Sequence, residues 1–203
     1  MSIFLIIIKI ILKKTKNYYT KFGIKNFNMR HLILLIFLAT GTSLEAQNFR
    51  GLDKSPLDMV NYPASSRVQE KMVRVLYSRP QLNGRDLSTL APKDKVWRTG
   101  ANESTEITFF KAATIAGKTV PAGRYTLYTI PGDNTWTVVL NKALNTWGAY
   151  SYDEKQDLVR VEVPVQKGDE SLEALSMTIE GEGSSAQLHL GWGTLRVSVP
   201  MTF

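Results

Sequence analysis

The sequence predicts an all-β fold, a single β-sandwich or jelly-roll-like barrel, that follows an N-terminal signal peptide. Three observations lead to this prediction. From Arg67 onward, apolar and polar residues alternate with a period of two, which is typical of half-buried strands. Turn signals rich in Gly, Pro and Asn separate these stretches at intervals of roughly 8–12 residues. A short apolar run with a basic residue before it and small residues after it precedes them all.

The signal peptide is predicted over residues 29–46. Arg30 is its basic region, Leu32–Ala39 is its apolar run, and small residues lead to a cleavage site near Ala46. Cleavage there leaves Gln47 as the first residue of the mature chain. A membrane anchor is the alternative, but a bilayer span needs about 20 apolar residues and this run is much shorter. No stable membrane span is therefore expected after cleavage, and the protein is expected to be periplasmic or secreted.

Residues 1–28 are interpreted as an upstream extension that an early start codon adds to the true N-terminus at Met29. They are rich in Ile, Lys, Asn, Phe and Tyr, as translated AT-rich DNA is. A genuine hydrophobic segment over Ile3–Leu12 is the alternative, but it is also too short to span a bilayer.

Most of the net positive charge of the chain lies in residues 1–46, which are called the leader here. The whole sequence carries 25 basic and 18 acidic residues, a formal net charge of +7. Seven of the basic residues and one of the acidic residues precede Gln47, so 18 basic and 17 acidic residues remain after it. A nearly neutral domain is not expected to bind nucleic acid. The absence of cysteine excludes disulfides, thiol nucleophiles and thiolate metal sites.

The mature chain is predicted to begin with an extended lead-in, residues 47–66, which has turn formers and no periodicity, and to continue as one all-β domain, residues 67–203. Strands are expected at Val73–Tyr77, Ile107–Phe109, Tyr125–Thr129, Val159–Val165, Leu175–Ile179, Leu188–Trp192 and Leu195–Val199. Turns are expected at residues 82–84, 116–118, 121–123, 131–134 and 181–183. Two segments could hold a helical turn, Asp86–Leu90 and Asp169–Ala174.

No catalytic residue, cofactor or metal site is predicted. His189 is the single histidine after the leader, and its place between two leucines of a predicted strand puts it on the polar face. One histidine and no cysteine argue against catalytic zinc. Asp133, Asn134 and Asp153 offer loop oxygens of the kind that bind calcium, but they lack EF-hand spacing.

Several segments are more distinctive than ordinary strands. They are YSRP at 77–80, GR at 84–85, KVWRTGANE at 95–103, PAGRY at 121–125, TIPG at 129–132, WT at 136–137, NK at 141–142 and WGAYSYD at 147–153. Over about residues 53–203 the chain resembles an exported bacterial family catalogued as domain of unknown function 2911. The resemblance implies a small exported β domain with no established activity, whose recurrent residues cluster around Trp97–Glu103 and Trp147–Asp153.

A candidate ligand-binding site follows from aromatic and basic residues near these segments. Aromatic rings offer flat apolar faces, and Arg and Lys donate hydrogen bonds to carboxylate or phosphate oxygens. The candidates are Arg79, Arg85, Trp97, Arg98, Asn102, Glu103, Lys142, Trp147, Tyr150, Tyr152 and Asp153. A glycan, a peptide or a small organic anion would suit them. The alternative is structural, with Trp97 and Trp147 in the core and Arg98, Asn102 and Glu103 holding a turn.

Three functions are therefore considered. The first is a non-enzymatic binding or structural-interaction module of the cell envelope. The second is an envelope hydrolase acting on carbohydrate through Glu103 or Glu106 with Asp153, which requires two carboxyl groups roughly 5–9.5 Å apart in a cleft. The third is assembly through an unpaired sheet edge.

Overall fold

A computed structural model describes residues 47–203 and, before them, residues 9, 10, 13, 14, 17 and 21. The predicted signal peptide and almost all of the predicted upstream extension lie outside the described residues. Residues 51–203 form one structural unit and residues 1–50 another, and the fold below is that of the first unit.

Residues 51–203 are nearly all antiparallel β-structure, so the all-β prediction is confirmed. The strands are β1 (Leu57–Tyr62), β2 (Val73–Ser78), β3 (Glu106–Phe109), β4 (Ala113–Ile115), β5 (Lys118–Val120), β6 (Gly123–Ile130), β7 (Thr135–Asn141), β8 (Asp157–Glu182) and β9 (Ser185–Thr202). They form one open sheet in the order β1-β2-β3-β6-β7-β8-β9-β4-β5. Helix α1 (Leu87–Leu90) and a 3-10 turn (Glu154–Gln156) are the helical elements of this unit.

Strand β8 is 26 residues long, whereas an ordinary strand has about 5–6 residues. Its first part pairs with β7 and its second part with β9. The β8–β9 register shifts on both sides of Leu172, where the chain changes direction. The predicted strands Val159–Val165 and Leu175–Ile179 are therefore two parts of a single bent strand.

Strand β9 turns back on itself at Gly193, which has a positive φ of 54°. The Phe203 N–H donates to the Ser184 carbonyl at 2.8 Å, and His189 Nδ1 lies 2.8 Å from Ser198 Oγ. These contacts bring the two ends of β9 side by side. The two strands predicted on either side of Gly193 are the two arms of this element.

The core lies between the two ends of the sheet. Tyr77 on β2 is almost completely buried, and its Oη accepts a hydrogen bond from the Met177 N–H of β8 at 2.8 Å, although β2 and β8 are not neighbours in the strand order. Tyr62 at the end of β1 stacks on Phe203 with ring centroids 6.0 Å apart. Apolar residues at alternate positions of both ends thus bury one another, which is the main source of stability.

The predicted helical turn at Asp86–Leu90 is confirmed as α1, whose first turn is capped by the Asp86 carboxylate accepting from the Ser88 N–H at 2.9 Å. The predicted helical turn at Asp169–Ala174 is wrong, because that segment belongs to β8. Its backbone pairs with the chain after β2: the Leu82 N–H donates to the Glu173 carbonyl at 2.9 Å, and Gln81 bridges Ala174. These non-local hydrogen bonds hold it extended. Strand β1 lies inside the segment predicted as a lead-in.

Candidate functional site

Two loops meet beside the interior strands of the sheet: the first loop (residues 97–105), which precedes β3, and the second loop (residues 142–153), which follows β7. Trp97 anchors the first loop to β6 by exchanging two backbone hydrogen bonds with Thr129, at 2.8 and 3.0 Å. The second loop is joined to the first by an isolated bridge between Glu103 and Trp147 and by the Gly148 N–H, which donates to the Asn102 carbonyl at 3.2 Å. The two distinctive sequence segments thus form one structural feature.

The first loop is held in an unusual backbone conformation. Thr99 has φ of 55° and Asn102 has φ of 58°, a region that a β-branched residue such as threonine rarely adopts. Thr99 is fully buried; its Oγ1 lies 3.1 Å from Thr129 Oγ1, and its carbonyl accepts from Thr105 Oγ1 at 2.8 Å. Strain of this kind costs about 1–3 kcal/mol and persists only where surrounding contacts impose it. The loop is therefore rigid.

A cavity of about 650 Å³ lies against the first loop. Five of the eleven candidate residues line it, namely Arg85, Trp97, Arg98, Asn102 and Tyr150. Trp192 of β9 also lines it and stacks on Trp97, with ring centroids 5.5 Å apart and an interplanar angle of 15°. The two indoles thus form an indole floor of the cavity, with only 7% of Trp97 and 2% of Trp192 exposed. No Asp or Glu of the described residues contributes to its wall.

The two arginines of this cavity are held by backbone carbonyls. Arg85 donates from Nε to Leu82 at 3.0 Å and from Nη2 to Gln81 at 2.8 Å, and Arg98 donates from Nε to Gly100 at 3.3 Å. Within residues 51–203 neither forms an ion pair. Their positive charge is therefore not neutralised by a carboxylate, and donors remain available on both.

Gly148 allows Arg98 and Tyr150 to pack beside each other. It has φ of 64°, and a Cβ at this position would lie 2.8 Å from Tyr150 Cε2 and 3.2 Å from Arg98 Nη1. Any side chain would therefore collide with the aromatic ring and approach the guanidinium. The glycine brings a charged group of the first loop and an aromatic group of the second loop to the same spot.

The six other candidates do not line the cavity, and four of them lie in different places. Arg79 links distant parts of the sheet, because it pairs with Asp58 on β1 at 3.1 Å and donates to Ser176 Oγ on β8 at 2.8 Å. Lys142 and Glu103 are exposed. Trp147 is half exposed and lies two positions before Ala149, the first residue of the second loop that lines the cavity.

Tyr152 and Asp153 lie at the end of the second loop and anchor it. Tyr152 donates from Oη to Asp157, which also accepts from Arg160 at 2.9 Å and from Asn141 Nδ2 at 2.7 Å. Burial, together with the hydrogen bond to Asp157, raises the pKa of the Tyr152 phenol above its ordinary value. Asp153 caps the 3-10 turn through its carboxylate, which accepts from the Lys155 N–H at 3.0 Å. Both residues therefore act in the structure of the loop.

The carboxylates considered for hydrolysis are dispersed. Glu106 pairs with Arg124 at 3.5 Å, and neither it nor Glu103 nor Asp153 lines any of the four cavities described in residues 55–202. Among the described residues, no group of three or more His, Cys, Asp or Glu side chains is placed to hold a metal ion. The same part of the chain contains no helix that is long and apolar enough to cross a membrane.

Sequence reasoning missed Trp192, together with the apolar cavity residues Leu90 and Pro92. The alternation of β9 identifies Trp192 as a strand residue. It gives no sign that Trp192 stacks on Trp97 of the first loop, 95 positions earlier in the chain. The flanking Gly191 and Gly193 were the available signal, because glycines beside a large ring commonly mark a bend or a close approach.

Comparison with known proteins gives one match. A family model described as Protein of unknown function (DUF2911) matches residues 55–201, a range that contains both loops and every residue lining the cavity. No curated protein and no solved structure matches the chain.

Proposed function

We propose that this chain, which belongs to the DUF2911 family of proteins of unknown function, is a non-enzymatic binding module of the cell envelope that captures a small organic anion. The ligand occupies the cavity beside the first loop. Its carboxylate or phosphate group accepts hydrogen bonds from Arg85 and Arg98, and its apolar part contacts the indole floor.

One observation carries this proposal: Arg85 and Arg98 face the same cavity without a carboxylate partner. A guanidinium presents several N–H donors in a planar fork that matches carboxylate and phosphate oxygens. Asn102 lies on the same wall, and its side-chain amide adds a hydrogen-bond donor and an acceptor. Of the four described cavities, this is the one whose wall contains Arg or Lys but no Asp or Glu; the other three include acids such as Glu70, Asp133 or Glu182, with basic residues beside them in two of the three.

Carbohydrate hydrolysis has less support. A glycosidase holds two carboxyl groups in the same cleft, whereas Glu103, Glu106 and Asp153 line none of the four described cavities. Binding needs only the donors and the apolar surface that the cavity offers, and it is therefore the function that the geometry favours.

Export is part of the proposal. The basic residue, apolar run and small-residue exit of residues 29–46 support cleavage near Ala46 and a periplasmic or secreted location. N-terminal sequencing of the protein from its native cells is expected to begin at Gln47. A mature chain that retains residues before Met29 would contradict this.

We also propose that the bent sheet is a β-sandwich in architecture. The contact between Tyr77 on β2 and Met177 on β8 supports two layers facing each other across one core. Long strands that bend at their middle, such as β8, can contribute to both layers.

The anion proposal predicts ligand-dependent stabilisation that requires Arg98. In a thermal-shift screen of organic anions such as citrate and glucose 6-phosphate, a ligand present at 100 times its Kd stabilises the fold by about 2.7 kcal/mol. For a domain of this size that raises Tm by roughly 5–10 °C. Arg98→Ala is expected to weaken binding by about tenfold to hundredfold, because a charge-assisted hydrogen bond is lost.

Lys142→Ala is the matched control, since Lys142 is an exposed basic residue outside the cavity wall. This substitution removes the same charge, and the variant should bind anions as tightly as the wild type does. Equal losses in the two variants would show that the anions respond only to net charge. Neutral analogues that stabilise as strongly as the anions would also defeat the proposal.

A further inference from the structure

Two aromatic side chains of the second loop are exposed beside the cavity, although large aromatic residues are usually well buried. Trp147 is 50% exposed and Tyr150 is 88% exposed. Tyr150 lines the cavity itself, and Trp147 lies three positions earlier on the same loop. We refer to these two residues as the aromatic rim. Exposed apolar groups next to a polar cavity are typical of a binding surface.

The aromatic rim belongs to a fixed part of the loop. Trp147 is bridged to Glu103 through the backbone, and the adjoining Gly148 donates from its N–H to the Asn102 carbonyl while its own carbonyl accepts from Ser104 Oγ. These hydrogen bonds tie the rim to the rigid first loop. The backbone that presents the aromatic rim is therefore held in place by the first loop.

The rim and the arginines are arranged for one ligand. Tyr150 packs beside Arg98 above Gly148, so an aromatic face adjoins a guanidinium that has no carboxylate partner in the cavity. A ligand that uses both groups has an anionic group next to an apolar face. A sugar acid has both, because its carboxylate accepts from arginine and the C–H face of its ring can lie on an aromatic side chain.

The position of Trp147 outside the cavity favours an oligosaccharide as the ligand over a single sugar acid. Trp147 does not line the cavity, so it can contact only a part of the ligand that extends out of it. An extended peptide would use a free strand edge for its backbone hydrogen bonds. Here β9, the one strand that contributes to the wall, is paired with β8 on one side and β4 on the other.

We infer that the cavity and the aromatic rim together form an extended site for an acidic oligosaccharide. This inference rests on the proposed anion-binding function. One sugar-acid unit occupies the cavity with its carboxylate on Arg85 and Arg98 and its ring against Tyr150, and the next unit stacks on Trp147.

Isothermal titration of the purified protein with galacturonate and trigalacturonate tests the inference, with maltotriose as the neutral control of equal length. Trigalacturonate is expected to bind about tenfold more tightly than the monomer, because stacking on the rim adds to the contacts in the cavity. Trp147→Ala is expected to remove this gain and to leave the affinity for the monomer within about twofold. Phe110→Ala, which truncates an aromatic residue of similar exposure (48%) in another part of the domain, should leave both affinities unchanged.

The outcomes separate the inference from the proposed function. A trimer that binds no more tightly than the monomer, or a Trp147→Ala variant that weakens both equally, overturns the extended site while anion binding stands. If neither sugar acid binds but other organic anions bind in the thermal-shift screen, the extended site is likewise overturned and anion binding stands. If no anion binds at all, both proposals fail. Should Trp147→Ala lower Tm, Trp147→Gln replaces it, since it removes the ring at the same half-exposed position, keeps a longer side chain there and leaves the cavity wall untouched.

Discussion

Trp97→Ala is expected to lower the free energy of unfolding by about 3–5 kcal/mol, which is the usual cost of truncating a buried aromatic residue to alanine. Trp97 is only 7% exposed. Its ring stacks on Trp192 at 5.5 Å and meets Trp136 edge-on at 6.1 Å, so its removal leaves a void that two rigid rings cannot fill. Because total stability is typically 5–15 kcal/mol, this is a large fraction. Urea denaturation measures it as a lower midpoint at an unchanged slope.

Trp147→Ala provides the matched control for this experiment. The same change of residue at a position that is 50% exposed is expected to cost no more than about 1 kcal/mol. Trp97→Ala should also abolish the stabilisation by organic anions, because Trp97 forms the floor of the cavity. If the two tryptophan variants were equally destabilised, Trp97 would not be the centre of packing that its burial indicates.

The period of two predicts strands well where one face is buried and the strand is long enough to show the pattern. Strands β2 and β3 are predicted for this reason, whereas β6 is predicted from its alternation of residue types although both of its faces are buried. Strands β4 and β5 have three residues each, too few to establish a period. In β7 the apolar positions do not alternate: Trp136 is followed by Val138, Val139 and Leu140, all buried, so both faces of the strand are covered.

The bends of the sheet are not encoded in local periodicity. Alternation in β8 and β9 is interrupted at Leu172 and Gly193, and sequence alone divides each element into separate strands. Asp169–Ala174 looks helical because it is polar and lacks alternation. It is extended because backbone partners near Gln81 pair with it, and these partners lie about 90 residues away in the chain.

The candidate site shows the same limit. Arg85, Arg98 and Tyr150 come from three separate segments, and only the folded chain shows that they share one cavity. Residue type alone does not separate Trp97 from Trp147, although one is buried and the other half exposed. The sequence can therefore identify arginines and aromatic residues as candidates for ligand binding, but tertiary contacts determine which of them line a cavity.

Asp157→Ala is expected to lower the free energy of unfolding by about 3 kcal/mol, because it removes a buried charge that three donors share. The Asp157 side chain is 6% exposed and accepts hydrogen bonds from Tyr152, Arg160 and Asn141. Without it, the Asn141 amide and the Arg160 guanidinium lose their main partner. Removing one partner of a buried ion pair usually costs about 3–5 kcal/mol. The expected cost is at the lower end of this range, because the Arg160 side chain is 35% exposed and can turn toward water and Glu154.

Two comparisons make this prediction specific. Asp157→Asn keeps a side chain of the same size with one acceptor oxygen and should cost clearly less than alanine, whereas Glu162→Ala, on the exposed face of the same strand, should stay within about 0.5 kcal/mol of the wild type. Asp157 also fixes both ends of the second loop through Asn141 and Tyr152. Asp157→Ala should therefore weaken anion binding without touching the cavity wall, since Tyr150 loses its fixed position. Unchanged affinity in a destabilised variant would show that the loop keeps its shape without this anchor.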